Sequence, residues 1–391
     1  MSERVELEHE RALARVNVAA IERNCARMLS ELDGGSLCAV VKADGYGHGA
    51  LPAAIAAIAG GASRLAVASV REARELVDEV NVPLLIMGPI ETNDLEEVVD
   101  VGYELLARSE RLVKWVGELT EEIGTRARLH VKLDSGMGRL GTRDPEQASR
   151  IVAAIDSEPS VDLAGVMTHF ATADEREGEF FEEQLERFTE WALPIKRTHP
   201  ETLVHAANSA ATLREARAHF DMVRCGISIY GMDPFGEDPA AQGLEPALEL
   251  SSYLAEVKEC AVGESTGYGR RFVAERGTQL GVVPIGYGDG WRRALSNNAE
   301  VLVEGRRHPL VGTISMDSFA VDLGPGPAGE ELRSAEVVLI GARGSERITA
   351  EEVARRIETI NYEVTCGLTA RVVRVYHRDG ERLPDYEIWS E

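Results

Sequence analysis

Lysine is scarce in this chain. Of its 42 basic residues only Lys42, Lys114, Lys132, Lys196 and Lys258 are lysines. A lysine that survives such a preference invites a chemical reason, because a partly buried lysine can lose its proton and an arginine cannot. Paired cysteine motifs are absent as well. Cys25, Cys38, Cys225, Cys260 and Cys366 are odd in number and widely spaced, so neither a zinc site nor a disulfide framework is indicated. No apolar run approaches the ~20 residues of a membrane span. The opening Met1-Ser2-Glu3-Arg4-Val5-Glu6 is charged and lacks the apolar stretch of a signal peptide, so the cytoplasm is the expected location. Dense basic clusters are missing too. The formal charge of −24 argues against nucleic acid or an anionic membrane as a partner.

What is present is length and apolar content. The 391 residues suggest two domains, and a hydrophobic share of 44% is ample for packed cores. From Leu37 to about Tyr230, short β-branched runs alternate with helical patterns. Strands are expected at Leu37–Val41, Leu65–Ser69, Pro83–Met87, Glu104–Ala107, Arg128–Leu133, Leu163–Thr168, Leu203–His205 and Met222–Arg224. Helices are expected between them, for example over Ala53–Ala59, Leu112–Ile123, Ala148–Ile155 and Phe180–Trp191. Eight such repeats of roughly 25–30 residues close most simply into a (β/α)8 barrel, with a doubly wound open sheet as the alternative.

After about Leu244 the grammar changes to glycine-rich, alternating short runs. Strands are expected at Leu280–Ile285, Glu300–Val303, Ser318–Val321, Glu336–Ile340 and Val372–Tyr376, with one helix near Glu351–Ile357. The Gly-, Pro- and Asp-rich Pro234–Pro246 is the expected boundary. The barrel domain is thus expected over 13–245, and a mainly β domain over 246–391 together with 1–12. Gly324-Pro325-Gly326-Pro327 reads as a surface loop.

In such a barrel, chemistry sits where the strands end at their C-termini. Lys42 ends the first strand, in Val41-Lys42-Ala43-Asp44-Gly45-Tyr46-Gly47-His48-Gly49. Lys132, Asp134 and Arg139 close or follow the fifth, His169 ends the sixth, Asn208 and Ser209 follow the seventh, and Arg224 and Gly226 end the eighth. Ser209 could simply cap the next helix. It could also hold a phosphate, with backbone N–H groups of Gly226 and Ile227 as further donors. A phosphate beside a lysine able to form a Schiff base suggests pyridoxal 5′-phosphate (PLP), although a sugar-phosphate aldolase shares both features.

Taken in order, these fragments resemble the alanine racemases, the fold-type III PLP enzymes. The likeness extends to Asp134-Ser135-Gly136-Met137-Gly138-Arg139-Leu140-Gly141, Ala207-Asn208-Ser209-Ala210 and Val223-Arg224-Cys225-Gly226-Ile227. It continues through Gly267-Tyr268-Gly269, Pro284-Ile285-Gly286-Tyr287-Gly288-Asp289-Gly290 and Met316-Asp317. The resemblance implies PLP on Lys42 and two catalytic bases, Lys42 and Tyr268, the latter supplied by the partner in a homodimer. It implies phosphate contacts from Tyr46, Ser209, Gly226 and Ile227, with Asn208 nearby. Arg224 would face the pyridine nitrogen, and His169 would link it to Tyr268. Arg139 and the backbone N–H of Met316 would bind the carboxylate of a small amino acid. Lys132 is a carbamate candidate, and Asp174, Tyr287 and Arg293 would line the entrance.

The implied reaction interconverts L- and D-alanine, supplying D-alanine for peptidoglycan. Removing a proton from one face of Cα and returning it to the other is done most directly by two acid/base groups. A decarboxylase on the same scaffold has no need of the second base. A non-catalytic PLP-handling barrel has no need of the β domain that carries Tyr268 and Met316. Two positions depart from the family pattern. Ala370 stands where some members have a tyrosine near the phosphate, and Thr313 where some have an entrance arginine. A roomier site, accepting serine as well as alanine, is the alternative this leaves open.

Overall fold

The computed structural model describes residues 10–326 and 330–383. The opening hexapeptide and Pro327 lie outside them. The described residues divide into two compact units, one spanning Ile21–Phe235 and Gln242–Glu245, the other made of the remaining described residues.

The chain starts with β1 (Leu13–Asn17) and α1 (Val18–Leu29), then runs through eight strands, the first seven each followed by an α-helix. The first half comprises β2 (Ser36–Val40), α2 (Ala50–Ala59), β3 (Arg64–Val67), α3 (Val70–Arg74), β4 (Leu84–Ile86), α4 (Leu95–Val101), β5 (Glu104–Ala107) and α5 (Glu110–Ile123). The second comprises β6 (Ala127–Lys132), α6 (Pro145–Asp156), β7 (Val161–Met167), α7 (Phe180–Thr198), β8 (Leu203–His205), α8 (Ser209–Arg214) and β9 (Met222–Cys225). All eight strands are parallel, and β2 pairs with β9 from Ser36↔Met222 to Ala39↔Cys225. That pairing closes the barrel and excludes the open sheet. The helices form for local reasons. In α5, Ser109 accepts the Leu112 N–H, Val113 and Val116 face the core, and Gly124 ends the helix at φ 81°.

The second unit is a mainly β domain. Its large sheet uses β1, β10 (Leu248–Tyr253), β11 (Glu256–Cys260), β14 (Thr278–Val283), β15 (Glu300–Val303), β16 (Arg306–Val311), β17 (Phe319–Gly324), β18 (Glu336–Arg343), β19 (Glu346–Ile348), β20 (Val373–Arg378) and β21 (Glu381–Arg382). A separate hairpin pairs β12 (Ser265–Thr266) with β13 (Phe272–Val273). Two helices, α9 (Ala350–Arg356) and α10 (Asn361–Cys366), stand where one was expected. The expected boundary at residue 13 also needs correction. Strand β1 pairs antiparallel with β10 and parallel with β20, so its backbone bonds tie it to the β domain rather than to the barrel. An apolar-alternating strand reads the same wherever it pairs, which is why sequence alone misassigns it.

Candidate active site

The turn after β2 carries Lys42. Ala43, Asp44, Gly45 and Tyr46 follow with φ of 53°, 52°, 57° and 54°, a left-handed turn that L-residues rarely adopt. Such strain persists only where the surroundings impose it, and it collects at functional sites. Here the constraint comes from α3. Glu72 completes a capping box with Ser69 and also accepts the Ala43 N–H at 2.9 Å. Asp44 accepts the Ala50 N–H at the start of α2.

Lys42, Lys132, Arg139, His169 and Arg224 are electrostatic neighbours at this end of the barrel. Lys132 is buried, and burial reinforced by Arg224 and Arg139 lowers its pKa to about 8. Arg139 is exposed on the loop beyond it. Asp134 shapes that loop by accepting the N–H groups of Gly136 and Gly138. Arg224 is buried; its Nη2 donates to the Thr168 and Ala206 carbonyls and, at 3.2 Å, to His169 Nδ1. Its Nη1 donates to His205 Nδ1 at 3.0 Å. The Nε–H has no acceptor among the described residues and remains available to a ligand. Burial, then Arg224, hold the His169 pKa well below its ordinary value. A neutral His169 that accepts at Nδ1 carries its proton on Nε2.

Beside this lies a polar cradle. Ser209 Oγ accepts the Gly226 N–H at 3.1 Å and the Ser228 N–H at 3.4 Å. The cap of α8 is Asn208, which accepts the Ala211 N–H, so Ser209 is spared that duty. A Cβ on Gly226 would lie 2.2 Å from the Tyr46 hydroxyl oxygen. The buried Ser228 Oγ has no protein partner. Hydroxyls and backbone N–H groups around space that only a glycine leaves open suit a phosphate.

In the β domain, Tyr268 lies on the β12–β13 connection and is 72% exposed. The preceding Gly267 has φ 75°, and a Cβ there would come within 2.8 Å of Thr313 N. Thr313 is buried and donates its hydroxyl to the Tyr268 carbonyl at 2.8 Å. Standing where some family members have an entrance arginine, it anchors the Tyr268 backbone. A cleft of about 490 Å³ lined by Lys258, Thr266, Tyr268, Val311, Thr313 and Phe319 opens here. Met316 is 52% exposed, and its N–H has no acceptor among the described residues. Tyr287, Arg293 and Ala370 are exposed on the β domain, and Asp174 is exposed on the barrel. His130, His205 and Glu104 were not anticipated: each is a polar residue in a strand with no motif around it, and only barrel closure brings them together.

Comparison with known proteins gives a consistent result. Residues 16–234 match the family described as alanine racemase, N-terminal domain, and residues 247–376 its C-terminal domain. The chain is 39% identical to alanine racemase 1 of Bacillus subtilis, over 94% of this chain and 93% of that one. It is 40% identical to the alanine racemase of Geobacillus stearothermophilus, over 95% and 94% respectively. The crystal structure of alanine racemase from E. faecalis superposes with a TM-score of 0.87 at 36% identity, covering 94% of this chain and 98% of that one.

Proposed function

Because the chain belongs to the alanine racemase family, we propose that it interconverts L-alanine and D-alanine by moving the Cα proton between two bases. Supplying D-alanine for peptidoglycan is that family's known role. The observation that carries the reading is the convergence of a strained Lys42 turn, a cationic barrel mouth and a glycine-dependent hydroxyl cradle.

The residues present fit PLP. Ser209, Gly226, Ile227 and Tyr46 would hold its phosphate, with Asn208 fixing the start of α8. Arg224 would offer its open Nε–H to the pyridine nitrogen. Lys42 Nζ would hold the cofactor through its carbonyl carbon. Bound PLP supplies an electron sink that acidifies Cα–H.

This chain's own groups do the rest. Arg139 and the Met316 N–H would clamp the substrate carboxylate, which orients Cα. Lys42 would take or return the proton on one face and Tyr268 on the other. His169, with its proton on Nε2, would donate to the Tyr268 oxygen and favour phenolate. Arg224 cannot accept a proton, so it would leave the pyridine nitrogen unprotonated and temper the sink. A carbamate on Lys132 would turn a buried cation into an anion able to hold Arg139. Asp174, Tyr287 and Arg293 would line the entrance. Tyr268 and Met316 would serve the site of a second copy, making the active form a homodimer. The cytoplasm is the proposed location, and no helix among the described residues is long and apolar enough to cross a membrane. A broader site that also accepts serine is the second reading, favoured by the small, exposed Ala370.

The test is borohydride reduction of the purified protein, peptide mapping, and a racemisation assay across L-amino acids. Pyridoxyl label on Lys42 with alanine turned over fastest is the expected outcome. Label on Lys132, or no racemisation of any amino acid, would overturn the reading.

A further inference from the structure

The barrel interior contains a row of polar groups leading to Arg224 that the reaction outlined above leaves unused. (β/α)8 barrels usually fill this space with bulky apolar layers. Here Glu104 on β5 accepts from Arg64 Nε at 2.8 Å, Arg64 Nη2 at 3.0 Å and Arg128 Nε at 2.8 Å. His130 Nε2 lies 3.0 Å from the same carboxylate, and His130 Nδ1 lies 2.9 Å from His205 Nε2. His205 Nδ1 faces Arg224 Nη1 at 3.0 Å. Both histidines are fully buried.

The chemistry of the two ends fixes every proton between them. Arginine has donors only, so His205 Nδ1 must accept. A neutral His205 then carries its proton on Nε2 and donates it to His130 Nδ1. His130 in turn has its proton on Nε2 and donates it to Glu104. The other end gives the same answer independently. A carboxylate receiving three guanidinium N–H groups is ionised and cannot donate, so the hydrogen between it and His130 belongs to the histidine. Reversing one link would set two N–H groups, or two lone pairs, against each other between fully buried rings. Protonating His205 would drive an N–H into the Arg224 guanidinium. Burial lowers the pKa of both histidines, in keeping with two neutral rings. The space is prepared for them. A Cβ on Gly165 of β7 would lie 2.3 Å from His130 Nδ1 and 2.9 Å from His205 Nε2.

We propose that Glu104 orients Arg224 from a distance, through His205 and His130, each locked as the Nε2–H tautomer. The two histidines are thereby positioning residues for the guanidinium at the barrel mouth. Direct ion pairing would occupy that guanidinium. A relay through two rings instead holds it in place and leaves its Nε–H free. The importance of Arg224 to catalysis rests on the function proposed above, whereas the direction of the chain does not.

The experiment is nitrogen-15 NMR of histidine-labelled full-length protein, assigned by substitution, combined with turnover of His130→Phe and His130→Gln. The native protein should show unprotonated Nδ1 and protonated Nε2 at His130 and His205 from about pH 6 to about pH 9. In His130→Phe, His205 should shift to mixed tautomers, with turnover falling about tenfold or more. Glutamine can accept from His205 and donate to Glu104, so His130→Gln should restore most of both signals. If His130→Phe does not fold, the native and His130→Gln spectra still decide. Protonated Nδ1 on either histidine, or a His205 signal unmoved by His130→Phe, overturns the proposal. Correct tautomers in a protein that racemises nothing would leave the chain standing and reject the function instead.

Discussion

Lys132 shows how burial turns a common side chain into a reactive one. Its pKa of about 8 places the neutral amine within reach of ordinary buffers, against 10.5 for a free lysine. The sign of the effect on stability follows. A base whose folded pKa is depressed opposes folding below that pKa, and the penalty fades as pH rises from about 8 towards 10.5. Carbamylation offers another exit. The neutral nitrogen adds to carbon dioxide, its proton leaves to solvent, and the anion formed suits Arg139. Adding bicarbonate at about pH 8 should therefore raise the melting temperature of the native protein, by on the order of 2 °C. Lys132→Met should melt at the same temperature with or without bicarbonate. An equal response in both proteins would remove Lys132 as the site. In a chain with five lysines, this position could be singled out from sequence by residue choice. Its burial and its cationic neighbours could not, because they come from strands distant in sequence.

The short βα elements explain what sequence could and could not reveal. Strand positions were legible to within one or two residues because buried parallel strands are compact apolar runs with sharp boundaries. The Lys42 turn was legible only as a glycine-rich motif. Its left-handed path through Ala43, Asp44 and Tyr46 opposes local preference and depends on tertiary support. Glu72 on α3 supplies a large part of that support through the Ala43 N–H. Replacing it with alanine removes both this bond and half of the capping box, at a cost of about 1–2 kcal/mol. The expected sign is faster amide hydrogen exchange across residues 40–50 in Glu72→Ala, with exchange in β6 unchanged. Uniform acceleration across the barrel would instead assign Glu72 a general structural role. The polar row Glu104–His130–His205–Arg224 was invisible for the same reason as the burial of Lys132. Four residues on four strands show no spacing that a linear reading can detect.

The two units each hold part of the proposed chemistry. The barrel has Lys42, Lys132, Arg139 and Arg224; the β domain has Tyr268 on a hairpin tip and Met316 with its N–H open, both largely exposed in the single chain. A base with no shielding from water is poorly placed for catalysis, because exposed charges and phenols are solvated and weakly tuned. The hydrogen bond from the buried Thr313 that fixes the Tyr268 backbone would be superfluous on an idle surface loop. Both facts favour a Tyr268 that completes a site on a second copy of the chain. Mixing distinguishes this from a site made within one chain. Lys42→Ala and Tyr268→Phe homodimers should each be nearly inactive. After subunit exchange, random pairing makes about half of the dimers mixed, and each mixed dimer has one site with both bases and one with neither. Activity should then recover to about a quarter of the native value. If each chain builds its own site, every site in the mixture lacks one base. Exchange confirmed by mass spectrometry would then restore nothing, and the shared site would have to be abandoned.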